Sequence, residues 1–158
     1  MAAPAWLVDE MLGRLARYLR FVGCDAVYGQ GEDDDALARR ALDGHRVLVT
    51  RDRALAARVP GSLLLESAEI GAQWRAVRAA WPSVPTEVAF LRCSVCNGIL
   101  ARAPEVPPGA EAAGLPERVR SGEAPLYRCE GCGKLYWDGS HTARIRATIA
   151  AWESGGQA

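Results

Sequence analysis

The chain has 158 residues, of which 49% are hydrophobic, enough for one ordinary domain or for a small domain with an attached mini-domain. Its 19 basic and 19 acidic residues balance, which excludes a nucleic-acid binder that relies on bulk positive charge. Contact with an anionic partner would have to come from local patches.

The sequence shows no feature of a membrane or secreted protein. No apolar run reaches about 18 residues, and the N-terminal MAAPAWLVDE lacks a basic stretch followed by an apolar one. We therefore expect a cytoplasmic protein with no membrane partner. Disulfides are rare in the cytosol, so the five cysteines need another explanation.

Short apolar strands and helices alternate through the first half of the chain. Strands are predicted at 5–8, 26–28, 46–49 and 62–65, and helices at 11–22, 36–42, 54–59 and 67–81. This alternation predicts a parallel α/β sheet sandwiched by helices. Right-handed crossovers would then place the carboxyl ends of all the strands along one edge. The first helix carries Arg14, Arg17 and Arg20 on its polar face.

The character of the chain changes at Pro82, where helical periodicity gives way to proline, glycine and cysteine. We predict a first domain at 1–81, a linker at 82–91, and a small cysteine-bearing domain at 92–153. Within the last, 103–124 is predicted to be a loop with at most one helical turn near 116–119. A final helix is expected from His141 to about Trp152, with Ser140 as its N-cap.

Two cysteine pairs are typical of a zinc ribbon. Cys93-x-x-Cys96 and Cys129-x-x-Cys132 would supply four thiolates to one tetrahedral zinc. Small residues follow each pair and tolerate the left-handed backbone that points N–H groups at the sulfurs. A closed set of four protein ligands indicates structural zinc. Two disulfides or a redox pair are the weaker alternative, and Cys24 is expected to be a small buried residue.

Acidic residues follow three of the predicted strands. Asp9 ends the first strand, Asp52 follows the third, and the run Asp33-Asp34-Asp35 opens the helix after the second. Two carboxylates about 4 Å apart repel by about 4 kcal/mol at an effective dielectric near 20, so they favour a cation between them. Oxygen ligands suit Mg²⁺ or Mn²⁺, which can activate water and stabilise charge on a phosphodiester.

Both sets of charged residues have simpler interpretations. Acidic residues at helix starts are ordinary caps, which is the favoured role of Asp33 and an even alternative for Asp34 and Asp35. The arginines Arg14, Arg17 and Arg51 could hold phosphate oxygens. The helical arginines could equally form a solvated face.

Five segments together resemble the Mut-seven C-terminal RNase domain family, over residues 6–142. They are VDEMLGRLARYLR-x-x-G, the acidic run, RVLVTRD-x-x-LA, RCSVCNG and C-x-x-CG-K-x-YW-x-GSH. The resemblance implies a PIN-like nuclease fold followed by a zinc ribbon, and metal-dependent cleavage of RNA by clustered acidic residues. Position by position, it implies the roles of Asp9, Asp34, Asp35 and Asp52 as catalytic acids and of Arg14 and Arg17 as basic helix positions.

The pattern departs from the family at one point. PIN nucleases usually have a fourth acidic residue after a later strand, and Glu66 is the one nearby candidate here. His141, in the GSH motif, is expected to orient the last helix.

The resulting prediction is an Mg²⁺- or Mn²⁺-dependent ribonuclease. Asp9, Asp34 and Asp52 would be the ligands of that ion, Cys93, Cys96, Cys129 and Cys132 would hold structural zinc, and single-stranded RNA would be the partner. The alternative is a non-catalytic RNA- or protein-binding module on a PIN-like scaffold. A toxin-like nuclease with an antitoxin partner is a third reading, which the added zinc ribbon disfavours.

Overall fold

The computed structural model describes residues 3–106, 108 and 114–155. The strands in these ranges are β1 (Trp6–Asp9), β2 (Ala26–Gly29), β3 (Val47–Thr50), β4 (Leu63–Leu64), β5 (Leu100–Ala103), β6 (Leu126–Cys129) and β7 (Leu135–Trp137). The helices are α1 (Gly13–Phe21), α2 (Asp34–Asp43), α3 (Arg53–Arg58), α4 (Ile70–Ala80), α5 (Glu117–Arg120) and α6 (Ser140–Glu153).

The first four strands form one parallel sheet in the order β2-β1-β3-β4. Helices cover both faces, which confirms the predicted α/β class. Side chains alternate between the two faces along a strand. Leu7 and Leu48 lie side by side on the face that packs against α2 and α3, whereas Val8 and Val49 face the larger core beneath α1, α4 and α6.

The C-terminal helix completes the core of the first half of the chain. Ile145, Ile149 and Trp152 of α6 are buried there, and the Trp152 ring lies 4.5 Å from that of Tyr18. The Trp74 indole donates a hydrogen bond of 2.6 Å to Glu153. The helix assigned to the cysteine-bearing domain therefore packs on the first domain. The boundaries at 81 and 92 stay a prediction.

The cysteine-bearing segment contains a second, antiparallel sheet in the order β5-β6-β7, which we call the ribbon. The predicted turn near 116–119 is α5. Residues 107 and 109–113 of the predicted loop lie outside the described residues. The linker is packed, since Val84 is buried and the Ala89 N–H donates to the Phe21 carbonyl at 2.8 Å.

Two predicted helix starts are shifted. A 3-10 turn at Glu10–Leu12 precedes α1. Ser140 is the first residue of α6 and not its cap, because Gly139 occupies the N-cap position. In the ranges that the structure describes, no helix has the length and apolarity to cross a bilayer.

Arg20 corrects the picture of α1 as carrying three exposed arginines. It is 4% exposed. Its guanidinium donates to the carbonyls of Ala26 at 2.7 Å, Val95 at 3.0 Å and Ser94 at 3.2 Å, and so joins α1 and β2 to the loop between Cys93 and Cys96. Helical periodicity placed Arg20 on the polar side, but that side meets the ribbon.

A second set of contacts crosses the same junction. Asp25 accepts two hydrogen bonds from Arg46, at 3.0 and 3.1 Å, and one from the Asn97 amide at 2.7 Å. Asn97 also accepts from the Ala26 N–H at 3.0 Å. The ribbon is therefore fastened to the edge of the parallel sheet by charge-assisted hydrogen bonds.

The acidic edge and the four-cysteine cluster

Asp9 and Asp52 are linked through Thr50 at the carboxyl edge of the parallel sheet. The Thr50 hydroxyl donates to Asp9 Oδ2 at 2.5 Å and accepts from the Asp52 N–H at 2.9 Å. Asp9 is 8% exposed, and its Oδ1 accepts from the Glu10 N–H at 2.6 Å. Each carboxylate oxygen that accepts one hydrogen bond keeps a lone pair for a cation.

Strand register explains this contact. Val8 pairs with Val49, so the next residues, Asp9 and Thr50, are neighbours. By alternation their side chains share the face of Leu7 and Leu48, which α2 and α3 cover. Asp9 thus lies on the face whose helices begin with the other predicted acids.

The three acids of the run have different surroundings. Asp33 is the N-cap of α2 and accepts from the Ala36 N–H at 2.8 Å, as expected. Asp35 forms an ion pair with Arg58 of α3, which lowers the pKa of its exposed carboxyl. Asp34 is exposed, and its carboxylate has no hydrogen bond or ion pair with another described residue. Asp52 caps α3 through the Leu55 N–H at 2.9 Å.

The acidic side chains do not form a closed cage. In the described ranges, the four cysteines are the one group of three or more candidate ligands whose atoms lie within 4.8 Å of one another. Mg²⁺ does not require such a cage, because it is usually bound through one or two carboxylates, water and substrate phosphates. The designation of Asp9, Asp34 and Asp52 as ligands stays a prediction.

The predicted phosphate-binding arginines have different surroundings. Hydrogen bonds from Gly71 and Ala72, and then the charges of Arg75 and Arg14, lower the pKa of Glu69, so Arg14 lies near the start of α4. Arg51 is half-buried, and its Nε has no hydrogen-bond partner among the described residues.

Two further candidate positions, Arg17 and Glu66, lie on the surface. Arg17 is exposed and lines a groove beside the ribbon. Glu66 is exposed and lies 3.7 Å from Arg53.

The four paired cysteines converge as the spacing predicted. Cys93 Sγ lies 3.6 Å from Cys132 Sγ, and Cys96 Sγ lies 3.4 Å from Cys129 Sγ. Four sulfurs held tetrahedrally at about 2.3 Å from zinc lie about 3.8 Å apart, whereas a disulfide requires about 2.05 Å. The cluster therefore fits a metal ion with four thiolate ligands and excludes two disulfides in this state.

Backbone and side-chain groups around the sulfurs support that interpretation. Cys96 and Cys132 direct their N–H groups at Cys93 and Cys129 Sγ, at 3.5 and 3.4 Å. The predicted left-handed geometry occurs at Asn97, with φ 66°, and at Gly133, with φ 77°. These turns orient the four cysteine side chains toward a common centre.

The thiols do not ionise uniformly. Burial opposes ionisation of Cys93, but hydrogen bonds from Tyr136, Cys96 and Val95 outweigh it and lower the pKa of Cys93 to about 6. Burial, and then the neighbouring sulfurs, raise the pKa of Cys96 to about 12. A cation at the centre removes this conflict, because it favours all four thiolates.

Cys24 takes no part in the cluster. It is buried in the core, and burial raises the pKa of its thiol to about 11. This confirms the prediction of a small buried residue.

Sequence reasoning missed Thr50, Tyr136 and Asp25. Thr50 lies in the T-R-D motif, and its position as the last residue of a strand, like that of Asp9, was the one signal in the sequence. Tyr136 lies in the K-x-YW motif, and its hydroxyl is 3.0 Å from Cys93 Sγ. No local pattern marked Asp25, whose partners Arg46 and Asn97 are distant in sequence.

The fold and these sites define an α/β protein with an acidic sheet edge and an attached four-cysteine ribbon. The family model described as Mut7-C RNAse domain matches residues 4–149, and the chain therefore belongs to that family. This membership supports a nuclease-like function with RNA as substrate. Searches of the curated proteins and of the solved structures gave no match.

Proposed function

We propose that the protein is a divalent-metal-dependent ribonuclease with a PIN-like first domain. The observation that carries the proposal is the Asp9–Thr50–Asp52 chain of hydrogen bonds, which holds a nearly buried carboxylate at the sheet edge. The carboxyl ends of parallel strands are where α/β folds commonly place their ligands. Family membership supplies the substrate class.

Asp9 would be the fixed ligand of Mg²⁺ or Mn²⁺. Asp34 is the favoured second ligand, because Asp33 caps α2 and Asp35 is paired with Arg58, whereas Asp34 is uncommitted among the described residues. Asp52 would act as a ligand or hold the ion through water. When bound, the ion lowers the pKa of water and neutralises charge on the phosphodiester.

The other groups of the edge would position Asp9 and the RNA. Thr50 fixes the rotamer of Asp9 through its hydroxyl. Arg51, with a buried Nε that lacks a partner in the described part of the chain, would donate to a phosphate oxygen. The four cysteines would hold a structural zinc ion, which stabilises the ribbon against the sheet edge.

A non-catalytic RNA-binding module is the second candidate. Two of the predicted catalytic acids already have structural contacts, which favours this candidate: Asp35 pairs with Arg58, and Asp52 caps α3. In this case RNA would bind the same protein without being cut.

Cleavage of labelled single-stranded RNA in Mn²⁺ separates the two candidates. The proteins to compare are wild type, Asp9→Asn, Asp52→Asn and the control Asp43→Asn, an exposed acid at the far end of α2. Asn still caps a helix, so Asp52→Asn keeps the fold of α3. A metal ion contributes several kcal/mol, so loss of a ligand lowers the rate about 100-fold or more. Equal cleavage by all four proteins, or cleavage by none, contradicts the ribonuclease proposal.

A further inference from the structure

A groove of about 320 Å³ lies between α1, the segment 88–92 and the ribbon. Its walls include Arg17, Phe21, Phe90, Lys134, Trp137 and His141. Its volume is at the lower end of the range of small-ligand sites, which suits a single nucleotide and not a folded RNA element. The ribbon, which forms one wall of the groove, is joined to α1 and β2 through the hydrogen bonds of Arg20 and Asp25.

The charged residues of the groove all carry the same sign. Arg17, Arg92 and Lys134 line it, and no Asp or Glu is among its described lining residues. Arg92 lies 3.8 Å from Asp25 and is partly neutralised. Arg17 and Lys134 form no ion pair within the described part of the chain. In a protein with zero net charge, this local excess of positive charge favours an anion.

Aromatic side chains stand among these cations. Phe21, Phe90, Tyr136 and Trp137 are half-buried in the walls, and the exposed His141 ring lies 6.1 Å from that of Phe21. Bases stack on aromatic rings whatever their identity, while cations track the phosphates. The combination is the chemistry of a site for single-stranded nucleic acid.

The start of α6 adds a third feature to the same groove. Gly139 at its N-cap has no side chain to bond the first N–H groups, and Gly139, Ser140, His141 and Thr142 all line the groove. The positive end of this 14-residue helix therefore opens into the groove, where it favours an anion.

We propose that this groove binds one nucleotide of a single-stranded RNA, with the base against the aromatic wall and the phosphate held by Arg17 and Lys134. This inference rests on the proposed function, which supplies RNA as the ligand. Arg17 lies on α1, the helix that follows Asp9 in the chain after one 3-10 turn, so the groove would hold RNA beside the segment that is cut.

The direct test is the affinity of a fluorescently labelled single-stranded oligoribonucleotide for the zinc-loaded protein without Mg²⁺ or Mn²⁺. Arg17→Gln and Lys134→Gln should each weaken binding about tenfold, as expected for a charged hydrogen bond. Together they should reduce the slope of log Kd against log salt by about 1.4, since each contact to single-stranded RNA contributes about 0.7. His141→Ala should weaken binding about fivefold through lost stacking.

The matched controls are Arg39→Gln on α2 and Arg144→Gln on α6, which remove the same charge from exposed positions outside the groove. They should bind as wild type does. Photo-crosslinking with a 4-thiouridine oligonucleotide should label peptides that contain 17–21 or 134–142. Crosslinks confined to other peptides, equal affinity of groove and control variants, or no RNA binding by wild type would each overturn the inference.

The outcomes also distinguish this inference from the ribonuclease proposal. If wild type and Asp9→Asn bind RNA through the groove but wild type does not cut it, the groove is a binding site for RNA and the ribonuclease proposal is wrong. If wild type cuts RNA and the groove variants bind and cut RNA as wild type does, the ribonuclease proposal is supported and the proposed role of the groove is wrong.

Discussion

The Thr50 hydroxyl donates a hydrogen bond of 2.5 Å to the Asp9 carboxylate, and its oxygen accepts a hydrogen bond from the Asp52 backbone N–H. One hydroxyl thus couples the ends of β1 and β3 to the start of α3. The coupling ties the geometry of a nearly buried acid to a residue that is not itself acidic.

Replacing Thr50 by Val should damage activity and stability together. The substitution leaves the Asp52 N–H without its partner and frees Asp9 to rotate. We expect a loss of about 1–3 kcal/mol in the free energy of unfolding, and a fall in the rate of cleavage greater than any change in KM. Thr148→Val on α6 is the control and should change neither quantity, because the Thr148 hydroxyl has no hydrogen bond to any residue that the structure describes.

The four-cysteine cluster should bind one zinc ion per chain. Cys93→Ala should abolish zinc in elemental analysis of the purified protein and lower Tm, since binding of a structural zinc contributes about 10–16 kcal/mol of apparent free energy near neutral pH. Cys24→Ala should keep one zinc per chain, because Cys24 lies in the core away from the cluster. Equal zinc content in the two variants would contradict the assignment.

Arg20 should be more important to stability than its position on α1 suggests. In urea unfolding, Arg20→Met should lower the free energy of unfolding by about 1–3 kcal/mol, because the buried carbonyls of Ala26 and Ser94 lose their hydrogen-bond donor. Arg17→Met, one turn earlier and exposed, should change it by less than about 0.5 kcal/mol. Similar values for the two variants would mean that the buried hydrogen bonds do not hold the ribbon to the sheet.

Asp25 should make the same junction sensitive to acid. Burial opposes its ionisation, but hydrogen bonds from Arg46 and Asn97 outweigh burial and lower the pKa of Asp25 below its ordinary value of 3.8. A carboxyl with a depressed pKa in the folded state stabilises the fold above its unfolded pKa, and this contribution is lost as the pH falls through the folded-state value.

Wild type should therefore be more stable than Asp25→Asn at pH 7, and the difference should narrow below about pH 4. Denaturant unfolding from pH 7 to pH 3 measures it. Asp43→Asn is the control, because it removes a different carboxyl and any loss of zinc at low pH affects it as it affects wild type and Asp25→Asn. A constant difference between wild type and Asp25→Asn across this range would show that Asp25 is not the acid-sensitive group.

The parallel sheet and the cysteine cluster could be predicted because their signals are local. Short apolar strands such as Val47–Thr50 alternate with helices, and the two C-x-x-C turns set the positions of their own ligands. The contact of Asp9 with Thr50 was missed, because it depends on the register of β1 against β3, which the sequence does not specify.

The role of Arg20 and the place of α6 depend on distant partners. Arg20 lies on the polar side of an amphipathic helix, and its acceptors Ser94 and Val95 are more than 70 positions away. Ile145, Ile149 and Trp152 mark a buried face of α6, but nothing local says that the face meets α1 and α4. Such contacts are decided by tertiary packing, which outweighs local pattern.

Mn²⁺ binding to the zinc-loaded protein measures whether the acidic edge holds a divalent cation through Asp9. Titration followed by electron paramagnetic resonance should show one Mn²⁺ site in wild type and in the control Asp43→Asn. Binding should be weakened about tenfold or more in Asp9→Asn, through loss of a charged ligand. Equal Mn²⁺ affinity in wild type and Asp9→Asn would show that Asp9 is not a ligand of the divalent cation.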